Sequence, residues 1–158
     1  MTPPPTAAAA SPAAVPRLPA PAPLLGRLTR DELRAYAPWQ PLFVEPYAPD
    51  PSAIAAIKAR ADDLTVLLIV ATWCPDSKRE VPRFFAIMDR AGIGESRLTM
   101  VGVDRTKKDV EGLTETWGVL RVPTFIFFRR GQEAGRVVER TPTGTTLEAE
   151  IARVLASK

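Results

Sequence analysis

The chain contains several segments with the hydrophobic pattern of β-strands. Three apolar runs are each typical of a strand buried on both faces of a sheet, and they lie at 65–71, 97–104 and 122–128. A fourth strand is predicted at 134–140, because this segment follows the third run across the glycine-containing turn 129–133 and so forms a hairpin with it. The sequence also favours a short edge strand at 41–45.

Helices are predicted between these strands, because the apolar residues there recur at three- and four-residue spacing. The longest, from about 75 to 90, carries an apolar stripe formed by Val81, Phe84, Phe85 and Met88. Two earlier helices begin at capping signals: Thr29 and Glu32 have the spacing of a capping box, and Asp50 precedes a proline. Two later helices are predicted at 109–118, with Val110 on its apolar face, and at 146–156.

This order of elements alternates strands with helices and ends in a hairpin and a helix. It predicts an α/β fold in which helices flank a mixed β-sheet on both faces, with residues 28–158 forming one domain. Residues 1–27 are rich in alanine and proline, and eight of the chain's 17 prolines precede Leu24. Such a segment buries too little apolar surface to fold, so a disordered tail is predicted at 1–27.

Composition excludes several kinds of site. The net charge of +3 is spread over small basic clusters that are typical of a solvated surface, so no nucleic-acid partner is predicted. The chain has no histidine, which removes histidine-based acid–base catalysis and every histidine-containing metal site. A single cysteine excludes an internal disulfide and a thiolate metal cluster within one chain. We therefore predict no metal and no cofactor.

The hydropathy pattern predicts no membrane partner. The longest apolar run, at 66–71, is far too short to span a bilayer. The first residues carry no early positive charge, and prolines interrupt their apolar stretch, so they do not match a signal peptide. A cytoplasmic location is the resulting expectation.

The segment that could carry a reactive site is "ATWCPDSKREVPRFF" at 71–85, which contains Cys74, the only cysteine in 158 residues. A predicted strand leads into it, a proline (Pro82) lies in the helix that follows, and "VPT" at 122–124 opens a later strand. In this order the features resemble the thioredoxin superfamily, and "KREVP" is similar to the basic-x-Glu-x-Pro stretch of its thiol-reductase branch. The resemblance covers roughly residues 40–158. It implies a thioredoxin-like fold with Cys74 at the nucleophile position.

Elementary chemistry suits a reactive thiol at this place. A thiol attacks disulfides only as the thiolate. The unpaired N–H groups and the dipole at the start of a helix favour an anion there. Lys78 and Arg79 would add to this effect, whereas Asp76 would oppose it.

The resemblance also assigns binding roles. It implies a cis bond before Pro123, and it implies that the Val122 backbone pairs with the substrate chain beside the sulfur. Substrate contact is further assigned to Trp73, Pro75 and Asp76. Two of these have a second interpretation: Trp73 as a packing aromatic that shields the turn, and Asp76 as an ordinary helix-start residue.

Two departures from the family pattern bear on activity. Ser77 stands where the resolving cysteine would be, which makes the motif CxxS, and a hydroxyl is too poor a nucleophile to release a mixed disulfide. It can still bond the Cys74 sulfur or cap the helix, so Ser77 is placed with Cys74 in the catalytic site. The acidic residue that the classical members carry six positions before the nucleophile is replaced by Leu68.

Three functions remain open on the sequence. The first is a monothiol protein in which Cys74 exchanges with protein thiols and disulfides or with glutathione, an external thiol resolving the intermediate. The second is a binding or scaffold module that uses the fold without turnover. The third is a peroxide-reactive sensor thiol. Whether the protein is an enzyme depends on which of these holds.

Overall fold

Five strands form one mixed sheet in the computed structural model, which describes Thr2, residues 21–139 and residues 141–156. They are β1 (Gly26–Leu28), β2 (Leu64–Val70), β3 (Leu98–Gly102), β4 (Thr124–Arg129) and β5 (Gln132–Val138). Their order across the sheet is β1-β3-β2-β4-β5. β2 and β3 are parallel, and the other neighbouring pairs are antiparallel. The predicted mixed sheet with a terminal hairpin is confirmed.

Five α-helices occur within the described ranges, together with 3-10 helices at Ala37–Phe43 and Glu95–Arg97. The α-helices are α1 (Arg30–Ala35), α2 (Pro51–Lys58), α3 (Pro75–Ala91), α4 (Leu113–Thr116) and α5 (Leu147–Ala156). The predicted caps are present. The Glu32 amide donates to Thr29 Oγ1 at 3.1 Å, and the Asp50 carboxylate accepts from the Ala53 amide at 3.1 Å.

Two apolar clusters cover the two faces of the sheet, as alternation along β2 shows. Val66 and Leu68 pack on one face, against apolar residues of α1, α2, α3 and α5. Leu67 and Ile69 pack on the other, where Leu113 of α4 and Cys74 also lie. Because successive strand residues point to opposite faces, a strand with apolar residues at every position is buried between two layers. Helices on both faces were predicted and are confirmed.

The predicted edge strand at 41–45 is wrong. This segment belongs largely to the 3-10 helix Ala37–Phe43, which contains Pro38 and Pro41. Prolines cannot donate to a β-ladder, and they fit the first turn of a helix. The fully buried side chain of Trp39 anchors the segment against the core.

The helix predicted at 109–118 is also shorter than its pattern indicated. Gly112 has a φ of 72°, outside the helical region, so α4 begins only at Leu113. The Asp109 carboxylate accepts from the amides of Leu113 and Thr114, at 3.0 and 2.9 Å, and so supplies the missing cap. Val110 is consequently outside the helix and 89% exposed.

The sheet begins before the predicted domain boundary. β1 pairs antiparallel with β3 from Gly26, so the tail predicted at 1–27 extends two residues too far. A Cβ at Gly102 would collide with the Leu24 carbonyl oxygen, so the glycine lets the chain pass this closely over β3. The greater part of that segment, residues 1 and 3–20, lies outside the described residues. In the described part of the chain, no helix has the length and apolar character to cross a membrane.

Candidate active site around Cys74

The strand-to-helix turn that follows β2 places Cys74 at the start of α3. The Cys74 amide donates to the Ala71 carbonyl at 3.0 Å, which closes the turn, and its carbonyl accepts from the Lys78 amide at 3.0 Å, which opens the helix. Cys74 is the N-cap residue of this 17-residue helix, with an extended backbone conformation. Cys74 therefore stands at the end of α3 where the first amides have no intrahelical acceptor.

The thiol is largely buried and faces the loop before β4. Cys74 is 8% exposed, and its Sγ donates to the Val122 carbonyl oxygen at 3.6 Å. The Val122–Pro123 peptide bond is cis. Three of the predicted site residues, Cys74, Val122 and Pro123, are thus brought together, although Cys74 and Val122 are 48 positions apart in the sequence.

Hydrogen bonds on both sides of Pro123 fix this loop. The Thr124 hydroxyl donates to the Arg121 carbonyl, and the Glu139 amide of the strand end donates to the Pro123 carbonyl, each at 2.6 Å. The Arg121 side chain also pairs with Glu139 at 3.4 Å, where both groups are exposed. The backbone facing the thiol is therefore held from within the sheet.

The Ser77 side chain stabilises the turn through a hydrogen bond with its first residue, Ala71. It is fully buried, and its Oγ accepts from the Ala71 amide at 3.2 Å. The N-cap residue Cys74 makes no side-chain capping bond, and the Ser77 hydroxyl bonds to Ala71 instead of taking the predicted capping role. Its contact ties the residue at the end of β2 to the first turn of the helix.

Trp73 is held on one edge and covered on one face. Its indole Nε1 donates to the Val103 carbonyl at 3.2 Å, and the Arg105 guanidinium lies 5.4 Å from its ring centroid. These contacts favour the packing interpretation of Trp73. They also bring Arg105 to the site, a residue that the sequence pattern did not single out, although its position just after β3 places it at the same end of the sheet.

Residues from earlier in the chain hold the turn on its other side. The Trp39 indole Nε1 donates to the Thr72 carbonyl at 2.9 Å, and the Leu24 amide donates to Thr72 Oγ1 at 3.2 Å. Thr72 is 2% exposed, so these bonds satisfy polar groups that water does not reach. No local pattern in the sequence indicates this contact, because Trp39 lies 33 positions from its acceptor.

The charges in the first turns of α3 neutralise one another in part. Arg79 pairs with Asp76 at 3.1 Å and with Glu80 at 2.9 Å. The hydrogen bond to Glu80 is the main cause that raises the pKa of Arg79 above its ordinary value. Glu80 is 1% exposed and also accepts from the Thr141 hydroxyl at 3.1 Å. Asp76 is thus a paired residue at the helix start, and Pro75 beside it is exposed.

Leu68 occupies the position of the missing acid, fully buried in the cluster that contains Phe84.

Among the described residues, no three cysteine or acidic side chains converge in an arrangement that could hold a metal ion.

A family comparison agrees with this geometry. The Thioredoxin family model matches residues 53–153. The chain belongs to the thioredoxin family. The matched segment of this thioredoxin-family protein runs from α2 into α5 and includes Cys74, Val122 and Pro123. β1, α1 and Trp39 precede it, so the contacts that hold Thr72 come from outside the matched segment.

Individual relatives are similar over part of the chain. Thioredoxin H7 from Arabidopsis thaliana is 33% identical over 94 residues, which are 60% of this chain and 68% of that relative. Among solved structures, a thioredoxin from Malassezia sympodialis is 30% identical with a TM-score of 0.44, covering 61% of this chain and 80% of that chain. The germline-specific thioredoxin Deadhead from Drosophila melanogaster is 25% identical with a TM-score of 0.43, covering 65% and 87%.

Proposed function

We propose that this thioredoxin-family protein performs thiol–disulfide exchange through Cys74 alone. The observation that carries the proposal is the position of the thiol, at the N-terminus of α3 and 3.6 Å from the Val122 carbonyl oxygen. A sulfur at a helix N-terminus lies at the end where the first amides have no intrahelical acceptor, and the facing backbone offers a substrate chain a place to pair beside it. Ser77 cannot attack a disulfide, and the chain has no second cysteine.

The exchange proceeds in two balanced steps. The Cys74 thiolate attacks one sulfur of a disulfide, a new S–S bond to Cys74 forms, and the other sulfur leaves as a thiolate with the bonding electron pair. An external thiol, such as glutathione or a cysteine of the substrate protein, then attacks the mixed disulfide and releases Cys74. No net electrons pass to the protein, so this cycle suits disulfide exchange and isomerisation.

The residues around the sulfur take distinct parts in this proposal. The Val122 backbone and Pro123 form the wall along which a substrate chain lies. Pro75 is exposed beside Cys74 and contacts the substrate from the helix side. Trp73 supports the turn. Ser77 fixes the first turn of α3 through Ala71, and Asp76 acts through its pair with Arg79.

Formation of a mixed disulfide with glutathione tests the proposal. The reduced native protein is incubated with glutathione disulfide and its mass is followed with time. We expect one glutathione per chain, removed again by excess reduced glutathione, and no adduct on a Cys74→Ser variant. A native protein that gains no adduct, while its urea-unfolded form does, would contradict the proposal.

The burial of Cys74 favours a second candidate, a binding module without turnover. At 8% exposure, with its thiol donating to Val122, the cysteine also fits a small packing residue. The same experiment separates the two, because a packing cysteine forms the adduct only after unfolding.

A further inference from the structure

A groove of about 710 Å³ lies along α3, between this helix and the segment that follows α1. Its floor is apolar and includes Phe43, Pro82 and Phe85. The rings of Phe43 and Phe85 stack with their centroids 6.3 Å apart and their planes 8° from parallel. This floor suits apolar side chains of a bound segment.

The rim of the groove is cationic. Arg34, Lys78 and Arg83 line it, and among the described residues none of the three has a carboxylate oxygen within 4 Å of its nitrogens. Arg34 lies over the Phe43 ring at 5.6 Å, and Arg83 lies over the Tyr47 ring at 5.0 Å. Two of these cations thus lie against aromatic rings and, among the described residues, make no ion pair within 4 Å.

Two carboxylates also line the groove, and they do not cancel this charge. The Asp89 carboxylate is held by Arg30 in a bidentate pair, at 2.8 and 2.9 Å. Glu45 is exposed at the edge. The groove therefore keeps an excess of positive charge that complements an acidic segment.

The groove begins about one helical turn beyond the proposed active site, because Lys78 is its first lining residue on α3. Cys74, Lys78, Pro82 and Ala86 follow one another at four-residue spacing, so they lie along one stripe of α3. At about 1.5 Å of rise per residue, the groove extends from about 6 Å beyond Cys74 at Lys78 to about 22 Å at Asp89. An extended chain spans these distances with about two to seven residues.

We propose that this groove binds an acidic, partly apolar segment of the protein whose disulfide Cys74 attacks. The segment begins about two residues from the reacting cysteine of that protein and carries carboxylates against Arg34, Lys78 and Arg83. This inference rests on the proposed function, because it places substrate recognition beside the same thiol. It assigns the substrate class as proteins with acidic residues near the disulfide.

Two peptide probes test the proposal. Each has one cysteine as its mixed disulfide with thionitrobenzoate, followed after two residues by alternating glutamate and leucine, or by glutamine and leucine in the neutral version. Attack by Cys74 forms the peptide disulfide and releases the coloured thionitrobenzoate anion. We expect the acidic peptide to react about tenfold or more faster at low ionic strength, with the advantage shrinking as salt is added.

Charge variants locate the effect. The neutral peptide's rate serves as the reference for thiol reactivity in every variant, so the acidic-to-neutral ratio is compared. We expect an Arg34→Gln/Arg83→Gln variant to lose most of the ratio. The control Lys58→Gln/Arg130→Gln removes the same formal charge at the opposite end of β2 and should keep it. An equal loss in both variants, or no loss in either, would overturn the groove as the binding site.

A binding measurement separates the groove from the chemistry. A fluorescent acidic peptide with serine in place of cysteine is titrated into the Cys74→Ser protein, with and without the Arg34→Gln/Arg83→Gln change, and its anisotropy is read. Binding that the groove variant abolishes supports the groove even where no exchange occurs, in which case only the proposed function has failed. Equal exchange of both peptides without binding refutes the groove and leaves the proposed function standing.

Discussion

At the scale of single residues, Ser77 determines what this site can do. Its side chain is fully buried one turn from Cys74, and its Oγ holds the Ala71 amide. The position is therefore shaped for a small side chain that closes the turn. Serine keeps the structure of the site and removes the second nucleophile.

Replacing Ser77 with cysteine should create a two-thiol site. In helix geometry the Cα atoms of residues three positions apart are separated by about 5 Å, within the range of about 4.4–6.8 Å that disulfides bridge. We expect mild oxidation of the Ser77→Cys variant to remove both titratable thiols from the monomer. The Ser77→Ala variant, which loses the bond to Ala71 without gaining a thiol, is the control. Retention of two free thiols after oxidation would show that the two side chains point apart.

A second residue-scale prediction concerns Tyr47, whose hydroxyl donates to both carboxylate oxygens of the buried Glu148, at 2.8 and 2.9 Å. Desolvation and this hydrogen bond raise the pKa of Tyr47 to about 12. In the unfolded chain the phenol ionises near pH 10. Between these values the unfolded state releases a proton that the folded state keeps, so the contribution of Tyr47 to stability is complete below about pH 10 and is lost as the pH rises towards 12.

The Tyr47→Phe variant measures this contribution. Because Glu148 is 1% exposed, loss of its donor should lower the free energy of unfolding by about 1–3 kcal/mol at pH 7. Urea denaturation at pH 7 and at stepwise higher pH checks it. The difference between the wild type and the variant should shrink above about pH 10, and a difference that stays constant up to pH 12 would contradict the assignment.

At the scale of elements, the patterns with local causes were predictable and the others were not. The central strands, α3 and the caps at Thr29 and Asp50 follow from apolar periodicity and capping chemistry. β1 and the 3-10 helix depend on contacts with distant residues. β1 is a strand because it pairs with three residues of β3, and the 3-10 helix is anchored by the burial of Trp39; neither contact has a local signature in the sequence. The length of α4 was overestimated because the apolar pattern continues across Gly112, whose positive φ keeps the preceding residues out of the helix.

The same distinction applies to the site. The meeting of Cys74 with Val122 and Pro123 was available from the family resemblance. The supports from Trp39 and Arg105 were not: nothing near Trp39 in the sequence indicates that it reaches the turn, and the position of Arg105 just after β3 indicates the end of the sheet but not the contact with Trp73. The 3-10 helix Ala37–Phe43 therefore contributes to the site only through its tertiary position.

Trp39→Phe tests that contribution. Phenylalanine keeps most of the buried apolar surface but removes the donor to the Thr72 carbonyl. We expect a loss of about 2–4 kcal/mol in the free energy of unfolding, from packing and the orphaned carbonyl together. We also expect slower reaction of Cys74 with a small aryl disulfide under conditions where the variant remains folded. Phe43→Leu, in the same 3-10 helix, should lower stability and leave that rate unchanged. Equal rates for Trp39→Phe and the wild type would limit Trp39 to packing.

At the scale of the whole molecule, the proposed active site lies at one end of the sheet, and the residues changed in the control variant lie at the other end. β2 delivers Cys74 to the start of α3, and α3 carries the cationic groove away from it. Lys58 ends α2 and Arg130 follows β4, near the opposite end of β2, and these two basic residues serve as the matched control. The molecule thus has its thiol at the start of the same helix that the proposed binding groove follows.

The reactivity of Cys74 in the native protein tests the central claim most directly. The single cysteine makes the signal unambiguous, so the rate of alkylation by iodoacetamide at neutral pH can be followed by mass and compared with the rate in the urea-unfolded chain. We predict that the folded protein is labelled without unfolding, at a rate comparable with that of the unfolded chain, because the proposed exchange requires a thiol that reagents reach at the start of α3. Labelling that occurs only after unfolding would contradict the account and identify Cys74 as a packing residue.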